Sequence, residues 1–419
     1  MSNNDPIDSS PREGCPVHDW ATDYDVMDPD YNSDPGPIWK DLRERCPIAH
    51  STRWGGSWMP TRYEDVRNMA RAVPTLSSRA PGVIPPSPEM REILIQEVKE
   101  FGAELPPISA DPPLHKPFKQ LILPLFSPKA VETYRPFTEK LANNLIDKII
   151  DSGTVADGAV DYAQQLPPRV IAYIIGIDET RADEFTEWVR GILEQGQANP
   201  EIRLKYRRII RDYFQEMITE RRRNPRDDAI SKLMKAKIEG ESLSDYTIIG
   251  VCFLLLVAGI DTTWSSIGSA LFHFGTKTDH RNRMYAEPEL FPTAIEELLR
   301  FYSPVKMARR VLEPVAFGGV EMQPGDKVIM NFPAANRDPE VFENPDEVML
   351  DREQNRHIAF GVGIHRCAGS NLARMEMDVA LRTWFNRIKD FEVIQPEKVI
   401  WSGGQVRGPR VMPMRIAGA

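Results

Sequence analysis

The 419-residue sequence predicts a mainly α-helical fold with a smaller antiparallel β region. Three observations predict it. Apolar residues recur at helical spacing through most of residues 115–300. Strand-like runs separated by glycine turns cluster late, at 309–330 and again at 398–418. Nowhere is there an internal repeat or a strand–helix–strand rhythm that would ask for a parallel sheet.

Residues 1–35, polar and rich in Pro and Ser at the start, read as a loose arm. A short helix (PIWKDLRERC) and two strand-like pieces, SWMPTRY among them, occupy about 36–75. Residues 78–113 are Pro-rich at both ends around a helical insert, MREILIQEVKEF, and a loop that long inside a folded domain is usually functional. Helical patterns follow at 117–125, 131–151, 161–175, 180–195, 201–222, 227–238, 244–274 and 292–302. Gly318-Gly319 and Pro324-Gly325 supply turns between the late strands. A last helix follows residue 369, with Leu372, Met375 and Val379 on one face. Residues 36–419 are therefore expected to form one domain. No GxGxxG follows a strand, so no fused dinucleotide-binding reductase is expected.

The net charge of −9 and the lack of a basic stripe argue against nucleic acid as a partner. The longest apolar run, Ile248 to Ile260, is short for a bilayer and is interrupted by Gly250 and Gly259, so no membrane anchor is expected. The four cysteines are scattered without a CxxC pair or disulfide framework. With no secretory signal at the polar start, a soluble cytoplasmic protein is the expectation. HExxH, GxSxG and P-loop patterns are absent, and the cysteines offer no tetrahedral zinc set.

Four stretches carry chemistry. In FGVGIHRCAG, residues 360–369, Cys367 precedes a helix whose dipole and unpaired N–H groups favour a thiolate, and Arg366 adds positive charge. Gly361, Gly363 and Gly369 let this backbone turn tightly and approach something flat. In LLLVAGIDTT, residues 254–263, Gly259, Asp261, Thr262 and Thr263 are poor helix formers inside an apolar helix, a broken local rule that suggests a functional site. In EELLR, Glu297 and Arg300 stand i,i+3 on one helical face and can pair. In DPPLHKPFK, His115 and Lys119 open a helix.

Phe360, Gly363, Cys367 and Gly369 resemble the haem-ligand loop of the cytochrome P450 family, and the other three stretches occur in that family's order across residues 111–374. The resemblance implies the P450 fold, with the haem between the long central helix and the helix after Cys367. It implies haem b axially ligated by Cys367, lying against Ala258, Phe360, Gly361 and Gly369, with propionates on His115, Lys119, Arg309 and His365. Lys119 stands where many relatives carry Arg, and a lysine cannot form a planar fork to a carboxylate. Asp261 and Thr262 match the acid–alcohol pair that delivers protons to iron-bound oxygen. Glu297 and Arg300, completed by Arg352 in VMLDRE, match a structural triad, although Val348 replaces the aromatic usual four residues before that arginine.

By the same resemblance Leu254, Val257, Ala258, Val305, Ala308, Gln405 and Val406 line the substrate pocket beneath the 78–110 loop. A mostly apolar lining implies a small lipophilic substrate. The expected activity is a monooxygenase that hydroxylates or otherwise oxidises that substrate with O2. Electrons would come from an external ferredoxin and its reductase, docked on the cysteine side at Lys116, Lys119 and Arg366. A monomer is the family default. A peroxide-driven enzyme and a non-catalytic haem carrier or sensor are the alternatives, and Asp261-Thr262 stands against the first.

Overall fold

In the computed structural model, the helix Asp245–Thr276 runs through the middle of the molecule. The described residues are 16–85, 91, 92, 95, 105–196 and 199–417. Cys15 and most of the helical insert at 90–101 lie outside them. Ser244 caps the central helix by accepting from the Thr247 N–H, and side chains on nearly every face from Ile248 to Gly275 are buried. This helix is long and apolar enough to cross a bilayer, yet 78% of its most apolar window is buried inside the protein, as befits a core helix.

Around it pack Leu166–Ile175, Pro200–Arg223, Phe291–Tyr302 and Ser370–Arg387. Their starts follow from sequence: Pro200 occupies the first position of its helix, and Asn199 caps it by accepting from Glu201 and Ile202 N–H. Two stretches expected as single helices are each divided. Gly158–Ala163 forms a π-type turn before Leu166–Ile175, and Ala182–Arg190 passes into another at Gly191–Gln195. The helix Thr278–Ala286 was not expected, because its polar sequence carries little periodicity.

The larger sheet orders its strands Ile48–Ser51, Ser57–Pro60, Lys327–Met330, Met307–Val311 and Leu76–Ser77. Its pairings are antiparallel except for one parallel contact, Val328 beside Trp58. Asp390–Val393, Pro413–Ala417 and Val155–Asp157 form a second, antiparallel sheet.

The expectation of a loose arm through residue 35 is corrected over its described part. Tyr31 is wholly buried and takes a hydrogen bond from Trp39 Nε1 at 3.0 Å, while Tyr24 donates to Ser57 O at 2.8 Å. Isolated aromatics in a polar stretch thus anchor residues 16–35 to the sheet.

Candidate active site

The loop before Ser370–Arg387 is shaped by its glycines. Gly361 (φ +70°) and Gly363 (φ +78°) take left-handed conformations closed to most side chains. They return the chain so that Cys367 N donates to Phe360 O at 2.8 Å. The Cys367 thiol faces into a cavity of about 820 Å³. Enclosure by the protein pushes its pKa up, while the Gly369 N–H, Lys119, Arg366 and Arg374 pull it down. Arg374 was not singled out from sequence. It lies 4.6 Å over the Phe360 ring and grips Glu296 at 2.6 and 2.8 Å, with His357 Nε2 3.0 Å from the same carboxylate. Its spacing seven residues beyond Cys367 carries no signal of its own.

The central helix supplies another part of the cavity wall through Leu254, Val257, Ala258 and Thr262. Thr262 Oγ1 donates to Ala258 O at 3.0 Å, the back-bond its position in the helix allows. Asp261 is not part of that wall. One residue earlier, and so about 100° round the helix, it is 1% exposed and accepts from Arg410 NH2 at 2.6 Å. Arg410 also holds Ser265 Oγ at 3.0 Å and pairs with Glu194. Burial lifts the Asp261 carboxyl to about 6, with Arg410 opposing and Glu194 adding to the rise. The structure therefore separates the expected acid–alcohol pair: the alcohol faces the cavity and the acid faces a buried arginine. Arg410 and Glu194 were missed because they lie 149 and 67 residues from Asp261 in sequence, and Ser265, one helical turn on, carries no signal without Arg410.

Four cationic or potentially cationic groups meet on the cysteine side. His115 and His365 rings lie 4.3 Å apart, Lys119 Nζ reaches Arg366 O at 2.5 Å, and Arg309 is 4% exposed. His115 Nε2 and Arg309 Nε are buried without a hydrogen-bond partner. Burial holds Arg309 down at about 10, and burial with Arg309, His115 and Lys119 nearby depresses His365 to about 3. Ser78 Oγ lies 2.9 Å from His365 Nε2. The open His115 Nε2 and Arg309 Nε, with Lys119 beside them, suit acceptors such as the two carboxylates of a flat group on the thiol. The residues fit a haem.

The remaining expectations divide. Val305, Gln405 and Val406 line the cavity, with Val305 and Val406 bridged to one another. Ala308 is corrected: it is wholly buried and outside the cavity wall, while its strand neighbours Met307 and Arg309 point the other way and line the cavity. Glu297 accepts from Arg300 Nε and NH2, both at 2.8 Å, and from Arg352 Nε at 2.9 Å. The triad forms, and Val348 in place of an aromatic does not prevent it. Of the covering loop, residues 78–85, 91, 92, 95 and 105–110 are described, and Arg79, Pro81, Arg91, Ile95, Pro107 and Ile108 reach the cavity.

Cys367, on its glycine-turned loop, and Thr262 of the central helix thus share one cavity with His115, Lys119, Arg309 and His365. Comparison with known proteins agrees. The family model described as "Cytochrome P450" matches residues 200–400. The mycinamicin IV hydroxylase/epoxidase of Micromonospora griseorubida is 32% identical over 89% of this chain and 94% of its own. The polyketide biosynthesis cytochrome P450 PksS of Bacillus subtilis is 30% identical over 93% and 97%. Its solved structure superposes with a TM-score of 0.84, covering 94% of this chain and 100% of that one at 29% identity. The chain belongs to the cytochrome P450 family and is a P450 monooxygenase.

Proposed function

We propose that this monooxygenase holds haem b on the Cys367 thiolate and oxidises a lipophilic small molecule, with electrons from an external ferredoxin and reductase. The observation that carries the reading is the cluster of His115, Lys119, Arg309 and His365 beside Cys367, with two of its buried nitrogens lacking partners. When bound, haem supplies the activation of O2, and a thiolate ligand favours O–O cleavage. The chain's own residues do the rest. The Cys367 sulfur is the one thiol on the cavity wall among the described residues. His115, Lys119, Arg309 and His365 receive the propionates, Lys119 as a point charge rather than a fork. Thr262 keeps a hydroxyl at the cavity wall, and Asp261, with its carboxyl near 6, can exchange a proton close to neutral pH once Arg410 yields. Leu254, Val257, Ala258, Val305 and Val406 exclude water around an apolar substrate.

Lys116 and Arg366 are exposed on the cysteine side and suit an acidic ferredoxin. We assign the protein to the cytoplasm as a monomer on the same family reading. The test is the ferrous carbon monoxide spectrum of wild type and Cys367→Ala. A thiolate-type band lost in the variant supports the ligand assignment, and a histidine-type band in wild type removes it. Product formation from a bound substrate separates this reading from a carrier or sensor.

A further inference from the structure

The charge of the cavity wall is unlike that of the molecule. The chain carries −9 overall, yet among the described residues the wall contains no Asp or Glu and several arginines and lysines. The cations beside Cys367 are accounted for by the haem reading, on which this inference rests. Others lie elsewhere on the wall, among them Arg91, which is exposed. Arg79 is 3.7 Å from Asp111, Arg310 donates to Gly325 O at 2.8 Å, and Lys327 Nζ donates to Trp54 O and Val83 O, both at 3.0 Å. These three serve the fold around the sheet.

Arg203 and Arg207 differ by position. They stand one turn apart on Pro200–Arg223, so they share a face, and that face is the cavity. Both are half-buried, whereas Lys205 and Arg208 of the same helix are exposed. Arg207 lies over the Phe253 ring, 5.7 Å from its centroid, which fixes its height along the central helix. Phe253 precedes Thr262 by nine positions, a rise of about 13 Å at 1.5 Å per residue. Leu254 and Val257 line the wall between these levels. An apolar channel with guanidinium groups at one end and the oxygen-activating end at the other selects an amphipathic acid: the chain is desolvated along the wall and the carboxylate is forked by arginine.

We propose that Arg203 and Arg207 form a carboxylate-binding site and that the substrate is an apolar carboxylic acid, held so that the carbon presented at Thr262 lies about 13 Å from its carboxylate. The acid's length is thereby read from its anchored end.

The test is calorimetric titration of the haem-loaded enzyme with dodecanoic acid and with methyl dodecanoate, which share the chain and differ in charge. A charge-assisted pair of this kind predicts at least a roughly tenfold tighter Kd for the acid. Arg203→Gln with Arg207→Gln should abolish that preference and leave the ester's Kd unchanged, and the single variants should each lose part of it. Lys205→Gln, on the exposed face, should keep it. Equal affinities for acid and ester in wild type overturn the proposal, and so does a preference that survives in the double variant. The ferrous carbon monoxide spectrum of the same preparations separates the two readings. A thiolate-type band with equal affinities defeats the carboxylate site alone, whereas a histidine-type band defeats the haem-thiolate reading beneath it.

Discussion

Glu297 and Asp261 are both buried carboxylates that face arginine, and they are built for different work. Glu297 is saturated: Arg300 and Arg352 donate three hydrogen bonds, and Met349 N–H at 2.9 Å and Asn355 Nδ2 at 3.1 Å add two more. Arg300 in turn donates to the carbonyls of Asn336, Pro345 and Glu347 at 2.7–2.9 Å, so the network ties the Phe291–Tyr302 helix to the irregular chain ahead of the cysteine loop. Asp261 has Arg410 as its ion partner, and Arg410 is shared with Glu194 and Ser265. The same pair of residue types becomes a rivet when every lone pair is engaged, and a titrating group when burial outweighs partial pairing.

The largest expected effect breaks the rivet. Arg300→Leu leaves Glu297 buried with fewer donors and should cost about 3–5 kcal/mol, read as a lower urea midpoint or as loss of folded protein. Asp261→Asn should act on chemistry far more than on folding. Its turnover should fall roughly a hundredfold or more, with product coupling lost, if the acid serves proton delivery. Unchanged turnover would assign Asp261 to packing. Thr262→Ala should leave haem binding intact and raise reductant consumed per product, so intact coupling would remove the hydroxyl from the proton path.

The pH dependence sharpens the comparison further. Asp261 has a folded pKa raised from 3.8 to about 6, so the folded state holds its proton more tightly than the unfolded chain. Its contribution to stability is full below the unfolded value and declines as pH rises through about 6, by on the order of 2–3 kcal/mol. Glu296, drawn down to about 2 by Arg374 and His357 against the cost of burial, runs the other way: its stabilisation is present above 4.5 and is lost as pH falls toward 2. The stability difference between wild type and Asp261→Asn, followed by denaturant unfolding from pH 4 to 7, should therefore shift against wild type as pH rises. A flat difference would mean that Arg410 keeps Asp261 ionised throughout. The smallest expected effect is Gln405→Leu. Gln405 Nε2 reaches only Met307 Sδ, at 3.2 Å, so substrate affinity should change by less than about 1 kcal/mol unless the substrate carries a polar group there.

Much of this was legible because it is local. The central helix, expected at 244–274, spans Asp245–Thr276, since a 3.6-residue period and a serine cap are written within one stretch of chain. The glycines around Cys367 announced a tight loop, and positive φ at Gly361 and Gly363 bears that out. Locality also explains the errors. Tyr24 and Tyr31 lie in a polar stretch whose burial depends on a sheet formed far along the chain. The resemblance places Ala308 in the pocket with Val305, but a strand begins at Met307 and turns the Ala308 side chain away.

Residue order alone carries the helices, the turn-making glycines and the ligand-competent cysteine, because capping, periodicity and left-handed conformations are properties of neighbours in sequence. Which way each chemical group faces was decided by packing. Thr262 reaches the cavity and Asp261 meets Arg410 because the central helix is rotated against the C-terminal strands. Arg203 and Arg207 face inward, and Lys205 outward, because Pro200–Arg223 rests on that helix. Charge and hydrogen bonding act across space between segments more than a hundred residues apart, and only the folded chain brings those segments together.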